Sequence, residues 1–295
     1  MAIGGRAVGR SLALMVATMS GGCARGDRIV VGAKNFTESD LLAEIVAQQI
    51  ERRTGLHVDR KLHLGGTFVC HQAITAGDID LYVEYTGTAY TAVLHHTAGP
   101  TADSVARAVA TEYRQRWSLV WLPGFGFNNT FAVAVRQQDA ERYGLNAISD
   151  LTKVAAHWHA GFGYEFLNRA DGYPGLAAAY GLKFAAPPIS MDLGLTYRAL
   201  ADGKIDVIAG NSTDGQLEAL HLVALEDDRR FFPPYQAAVV ARNALLQRHP
   251  EVARALGELA GKIDDAEMRR LNAAADVEHR DIASVARDWL ARRVP

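Results

Sequence analysis

Residues 73–89, AITAGDIDLYVEYTGTA, close a helix, turn at Gly77 and enter a short strand over residues 79–83. Glycine supplies the left-handed backbone that a helix end takes up. The alternation of Ile79, Leu81 and Val83 gives the two-residue period of a strand. The pattern returns at residues 199–215, ALADGKIDVIAGNSTDG, where Gly203, Ile205 and Asp206 match Gly77, Ile79 and Asp80. Each copy delivers a polar, glycine-containing loop at the carboxyl end of a strand, which is where open α/β sheets bind their ligands. Two copies imply two lobes holding a ligand in the cleft between them. In this reading Asp80 and Asp206 fix the turns, while Glu84 orients its loop or meets a partner.

Outward from the first copy, residues 28–33 (RIVVGA) read as a buried strand and residues 56–64 as a second. The helix between them begins near Thr37, presents Leu41, Leu42, Ile45, Val46 and Ile50 on one face, and stops at Gly55. Another helix starts at Thr67. Strand–helix alternation of this kind argues for an α/β fold built on parallel sheets. Residues 183–189 read as a strand of the second lobe, and everything beyond Asn243 reads as helix. Boundaries near Asn129 and Tyr235 make residues 130–235 a second lobe inserted into a first, formed by residues 27–129 and 236–295. Two connecting segments then cross between the lobes, the layout of a hinge.

The chain has 295 residues, 49% of them hydrophobic, enough for two lobes with their own cores. A net charge of −2 with no run of like charge points away from a nucleic-acid partner. Arg6 and Arg10, an apolar run over residues 11–19 and the small residues before Cys23 have the order of a secretory leader, residues 1–23. Ser20-Gly21-Gly22-Cys23 resembles a lipoprotein processing site, although Ser20 stands where such sites usually carry Leu. The expectation is lipidation at Cys23, with a plain leader as the alternative. The protein then works at the periplasmic or extracellular face of the cytoplasmic membrane, held there by a lipid anchor. Cys70 reads as a small buried hydrophobe on a helix.

Catalytic signatures are missing: there is no G-x-S-x-G elbow, no phosphate loop and no His-Glu-x-x-His pair. His157 and His159 fall on one side of an expected strand, but no carboxylate or thiol stands beside them to complete a metal site. No enzyme activity, metal or cofactor is expected. Binding features are stronger. Tyr82, Tyr85, Phe166, Tyr173, Tyr197 and Tyr235 stand at loop or strand ends facing the expected cleft. Together they suit a quaternary ammonium ligand, which offers no hydrogen-bond donor but is attracted to ring faces. Lys34, Asn35, the helix starts at Thr37 and Thr67, and Asn129 with Thr130 supply donors for a ligand carboxylate.

Val31-Gly32-Ala33-Lys34-Asn35-Phe36-Thr37-Glu38, Leu64-Gly65-Gly66-Thr67 and residues 77–88 (GDIDLYVEYTGT) resemble the glycine betaine/carnitine/choline-binding proteins of osmoprotectant ABC importers. Residues 126–130 (GFNNT), Glu165-Phe166-Leu167, Asp171-Gly172-Tyr173-Pro174-Gly175-Leu176, Ser212-Thr213-Asp214-Gly215 and residues 232–235 (FPPY) continue the match in order. The resemblance covers nearly all of the chain beyond the leader. It implies a two-lobed, type II periplasmic-binding-protein fold of the α/β class, each lobe a mostly parallel sheet flanked by helices. It also implies a betaine- or choline-like ligand, delivered to an ABC permease with its ATPase. Carried onto this chain, the family's aromatic cage falls on Tyr82, Tyr85, Tyr173, Tyr197 and Tyr235, with Thr67 and Phe68 lining the pocket. Phe131 stands where relatives often have Tyr. Two alternatives stay open: the same fold binding ergothioneine or another amino-acid-like ligand, or acting as a ligand sensor.

Overall fold

The computed structural model describes residues 28–97 and 101–295, together with Met1, Ala2 and Gly4. Cys23 and nearly all of the expected leader lie outside the described residues. Among the described residues, no helix is long and apolar enough to cross a membrane.

Among the described residues, ten strands form two sheets. The first contains β1 (Ile29–Lys34), β2 (Val58–Gly65), β3 (Leu81–Tyr85), β4 (Leu119–Trp121) and β10 (Ala237–Arg242), in the spatial order β2-β1-β3-β10-β4. The second contains β5 (Phe131–Arg136), β6 (Ala160–Gly163), β7 (Ile189–Met191), β8 (Val207–Asn211) and β9 (Leu222–Ala224), in the order β7-β6-β8-β5-β9. In each sheet the antiparallel strand is the one that enters from the other lobe: β10 against β3 and β4, and β5 against β8 and β9. Apolar clusters cover both faces of both sheets, as parallel sheets require. Helix α1 (Thr37–Thr54) buries Leu41, Leu42, Ile45, Val46 and Ile50, and Gly55 ends it in the left-handed region at φ 73°.

The sequence repeat is a structural repeat. Gly77 and Gly203 close their helices at φ 84° and 71°. The following amides turn back onto the helix: Asp78 N–H donates to Ala73 O (2.8 Å), and Lys204 N–H donates to Ala199 O (2.9 Å). The Asp80 carboxylate accepts from Val30 N–H at the start of β1 (3.0 Å), and the Asp206 carboxylate accepts from His159 N–H just before β6 (2.9 Å). Each Asp also meets an Arg from the antiparallel strand, Arg242 at 3.6 Å and Arg136 at 2.7 Å. Two glycines complete the lock. A Cβ on Gly32 would lie 2.6 Å from Ile79 Cδ1, and one on Gly161 would lie 2.5 Å from Ile205 Cδ1. Because the turn consumes Asp78 and Ile79, β3 pairs from Leu81 and runs on to Tyr85, two residues later than the alternation implied.

Two further differences from expectation have local causes. The strand expected over residues 183–189 is confined to β7, because Pro187 and Pro188 have no N–H to give a ladder. His157 ends a short helical turn, Ala155–His157, so it shares no strand face with His159.

The chain passes between the sheets twice, at residues 122–130 and 225–236, and the two passages pair with each other. Asn129 N–H donates to Tyr235 O (3.0 Å), and Tyr235 N–H donates to Asn128 Oδ1 (2.6 Å). A third link comes from the helix Asp265–Asp276. Its Asn272 Nδ2 donates to Thr213 O at 2.9 Å, in the loop after β8. The backbones approach so closely there that a Cβ on Gly215 would lie 2.6 Å from Ala273 Cα.

Candidate functional site

Between the lobes, at the carboxyl ends of β1, β3, β6 and β8, lies a cavity of about 100 Å³, the scale of a small solute and well below that of a drug-sized ligand. Lys34, Asn35, Phe36 and Tyr85 reach it from the first lobe, Phe131, Tyr164, Phe166 and Arg169 from the second, and Asn129 and Tyr235 from the crossings. Strand ends and helix starts expose backbone groups and side chains together, so one cavity receives both rings and donors.

Two buried cations stand in the wall, each beside its own carboxylate. Lys34, 3% exposed, pairs with the fully buried Glu84, and its Nζ lies 5.1 Å from the centroid of the Tyr85 ring. Arg169, 5% exposed, forks onto Asp171 through Nε (2.9 Å) and Nη2 (2.5 Å). Its guanidinium sits 5.2 Å from the Phe131 ring centroid, and Nη2 also donates to Thr88 Oγ1 across the cleft (3.2 Å). Burial pushes the Asp171 carboxyl upward, but the adjacent Arg169 guanidinium outweighs it and holds the group below the ordinary carboxylate range. Tyr235 donates to the same carboxylate at 2.6 Å. Burial, with Glu38 beside Tyr85 and Asp171 beside Tyr235, raises both phenols far above their usual value, so both stay neutral donors. Phe131 packs edge-on to Phe166 (4.8 Å) and Tyr235 (5.7 Å), which fixes the ring cluster.

The lobes meet at the rim of this cavity. Glu165 of the second lobe lies on the amino end of helix α2 (Thr67–Ala76), accepting from Thr67 N–H (2.5 Å) and Thr67 Oγ1 (3.1 Å). An anion is favoured there because free N–H groups point outward. Asn35 Nδ2 donates to the Tyr164 hydroxyl at 2.7 Å. The structure is therefore a closed arrangement.

Of the ten positions expected to contact ligand, the cavity is lined by Asn35, Tyr85, Asn129 and Tyr235. The other six lie elsewhere. Tyr82 occupies the opposite face of β3 from Tyr85, fully buried near Tyr113 and Cys70, because successive strand residues alternate. Thr67 is engaged by Glu165, and Phe68 is 54% exposed on α2. Thr130 N–H donates to Ser212 Oγ (3.1 Å), inside the second lobe. Tyr173 stacks beside Phe162 (5.3 Å) and Phe184 (6.0 Å) in that lobe's core. Tyr197 lies under β8 with its hydroxyl donating to Asp214, in the space a Cβ on Gly210 would fill. Burial pushes the Asp214 carboxyl up to about 7.

Arg169, Phe36, Tyr164 and Glu165 line the cavity without having been singled out as contacts. The signal for Arg169 was its spacing to Asp171, which on its own reads as a surface ion pair. Cys70 is buried as expected, and that burial raises its thiol to about 12. Among the described residues, no group of three or more His, Cys, Asp or Glu side chains is placed to hold a metal.

A family model, the substrate binding domain of ABC-type glycine betaine transport system, matches residues 27–292. The carnitine transport binding protein OpuCC of Listeria monocytogenes is 37% identical over 268 residues, covering 90% of this chain and 87% of that protein. The glycine-betaine-binding protein of Pseudomonas aeruginosa is 36% identical over 293 residues, covering 95% and 93%. A solved structure of a glycine betaine/carnitine/choline ABC transporter protein superposes with a TM-score of 0.74 at 34% identity, covering 90% of this chain and 98% of that one. The chain thus belongs to the family of substrate-binding domains of ABC-type glycine betaine transport systems.

Proposed function

We propose that the protein captures a small quaternary-ammonium solute, of the glycine betaine, choline or carnitine kind, between its two lobes and hands it to the permease and ATPase of an ABC importer. One observation carries the reading: inside a solute-sized cavity, ring faces already stand over cations, Tyr85 with Lys34 and Phe131 with Arg169. Rings so placed attract an ammonium group that has no hydrogen to donate. Glu84 and Asp171 neutralise the two protein cations, which removes the repulsion a cationic ligand group would meet. Lys34 and Arg169 still have N–H groups to spare for a ligand carboxylate. The ammonium-facing contacts are Phe36, Tyr85, Phe131 and Tyr235, with Asn35 and Asn129 as polar neighbours.

Capture proceeds by rotation of residues 130–235 against the rest of the chain about the paired crossings, with Glu165 on Thr67 as the rim contact of the closed state. Delivery to a permease places the protein outside the cytoplasmic membrane, anchored there through a lipid on Cys23. Calorimetric titration against glycine betaine, choline, carnitine, proline betaine and ergothioneine tests the reading. Heat from one of the quaternary amines, reduced by Phe131→Ala, is the expected result. No heat from any of the five overturns it.

A further inference from the structure

Glu38 stands outside the cavity wall, yet it touches every part that has to move. The residue is 1% exposed in the first turn of α1, and none of its four hydrogen-bond partners carries a charge. Its Oε1 accepts from the Tyr85 hydroxyl (2.7 Å) and Asn129 Nδ2 (2.8 Å), both from residues that line the cavity. Its Oε2 accepts from Thr213 Oγ1 of the second lobe (2.5 Å) and from Asn272 Nδ2 of the Asp265–Asp276 helix (2.8 Å). Burial raises the pKa of this carboxyl above its ordinary value and the four converging donors work against that, so hydrogen bonds rather than a counter-charge hold the group in place. The convergence has a visible consequence: both amides turn their nitrogens to Glu38, and the Oδ1 atoms of Asn129 and Asn272 are left buried with no hydrogen-bond partner. A buried acceptor left unpaired is destabilising, so the carboxyl group sets the orientation of its surroundings.

We propose that Glu38 is the positioning residue that couples lobe closure to ligand capture, one carboxylate oxygen holding the cavity's Tyr85 and Asn129 while the other holds the second lobe through Thr213. When the lobes turn about the crossings, the Thr213 end of this link moves with the second lobe. The cavity end is then repositioned with it, so the Tyr85 ring and Asn129 reach binding geometry only when the second lobe is seated. This deepens the transport reading and rests on it for the ligand.

Thr213→Val removes one donor, keeps the side-chain shape and touches nothing in the cavity; Thr213→Ser keeps the hydroxyl. Glu38→Gln keeps an acceptor for Tyr85 and Asn129 and turns its new amide nitrogen toward the Thr213 hydroxyl, which can accept. That nitrogen meets Asn272 Nδ2 donor to donor, and the Asn272 amide cannot turn over without giving up its bond to Thr213 O, so Thr213→Val is the cleaner of the two variants. Titration with glycine betaine, choline and carnitine is expected to show Thr213→Val and Glu38→Gln weakened about 5- to 150-fold, the usual span of coupling between sites. Thr213→Ser should bind as wild type, and the Thr213→Val/Glu38→Gln double variant should fall no further than Glu38→Gln alone. Wild-type affinity in both single variants overturns the proposal. If the wild-type protein binds none of the five solutes named above, the transport reading fails, and hydrogen exchange of the free protein decides the coupling. Loss of protection at residues 211–215 together with the Asn129 amide in Thr213→Val, and not in Thr213→Ser, supports it; unchanged protection overturns it.

Discussion

Replacing Arg169 with Met leaves a buried carboxylate without its cation, and the structure sets the size of the effect. Two charge-assisted hydrogen bonds to Asp171 and one bond to Thr88 disappear together. Asp171, 5% exposed, is left with the Tyr235 hydroxyl and Thr91 as donors. Removing one partner of a buried pair costs about 3–5 kcal/mol, a large share of the roughly 5–15 kcal/mol that holds a domain together. Arg169→Lys keeps a positive charge but not the planar fork, and should lose about 1.5–3 kcal/mol, one hydrogen bond to a charged group. Urea unfolding followed by tryptophan fluorescence at pH 7 reads both values. The pH dependence gives a second handle. In the wild type the Asp171 carboxyl is depressed, so its contribution is present above the unfolded value of about 3.9 and is lost as pH falls through the folded one. Without Arg169, burial is opposed only by the Tyr235 and Thr91 hydroxyls and the folded value rises from its wild-type position, so acid costs the variant less than the wild type. The gap between wild type and Arg169→Met should therefore narrow from pH 7 toward pH 4. A loss below about 1 kcal/mol at pH 7, or a gap that ignores pH, would refute the reasoning.

Three other outcomes follow from the same geometry. Tyr85→Ala and Phe131→Ala each remove a ring face, worth about 0.5–2 kcal/mol to a cation, so calorimetry should show roughly 2- to 30-fold weaker binding; Tyr173→Ala should lower the unfolding midpoint and leave affinity alone. Asp214 titrates in the folded protein at about 7, above its unfolded value. Its contribution is full below pH ~3.9 and fades as pH rises through 7, so thermal melts of Asp214→Asn should vary less over that window than those of wild type. Glu165→Gln removes the charge from the amino end of α2, and the ligand should bind about tenfold more weakly, with less sensitivity to salt, in titrations at low and high ionic strength.

The repeat was legible because both of its markers act locally. Gly77 and Gly203 end helices in a conformation other residues avoid, and Asp80 and Asp206 follow at a fixed offset. The partners of those markers were not legible, since Gly32 and Gly161 show their purpose only when Ile79 and Ile205 arrive against them. Tyr82 and Tyr85 differ in strand parity, which is visible in the sequence, and parity sends the two rings to opposite faces of β3. Tyr197 has a helical pattern that announces burial without saying against what, and its cover is a glycine on a neighbouring strand. Glu38 lies at the far end of legibility, with partners 47, 91, 175 and 234 residues away. The Asp265–Asp276 helix poses the same difficulty: its residues read as helix, and only the folded chain brings Asn272 to Thr213.

The Asp locks and the cavity occupy opposite ends of the same strands. Asp80 pins β1 at Val30 while Lys34, at the other end of that strand, reaches the cavity; Asp206 pins the chain at His159, just ahead of β6, whose last residue, Gly163, borders the cavity. Selection can thus act on one end without disturbing the other. Exchanging the residues around the solute changes which molecule is carried, and the anchoring that keeps each lobe rigid goes untouched. A scaffold divided this way tolerates drift in ligand choice, and for protein engineering it offers a set of cavity positions open to redesign beside a set to be left alone.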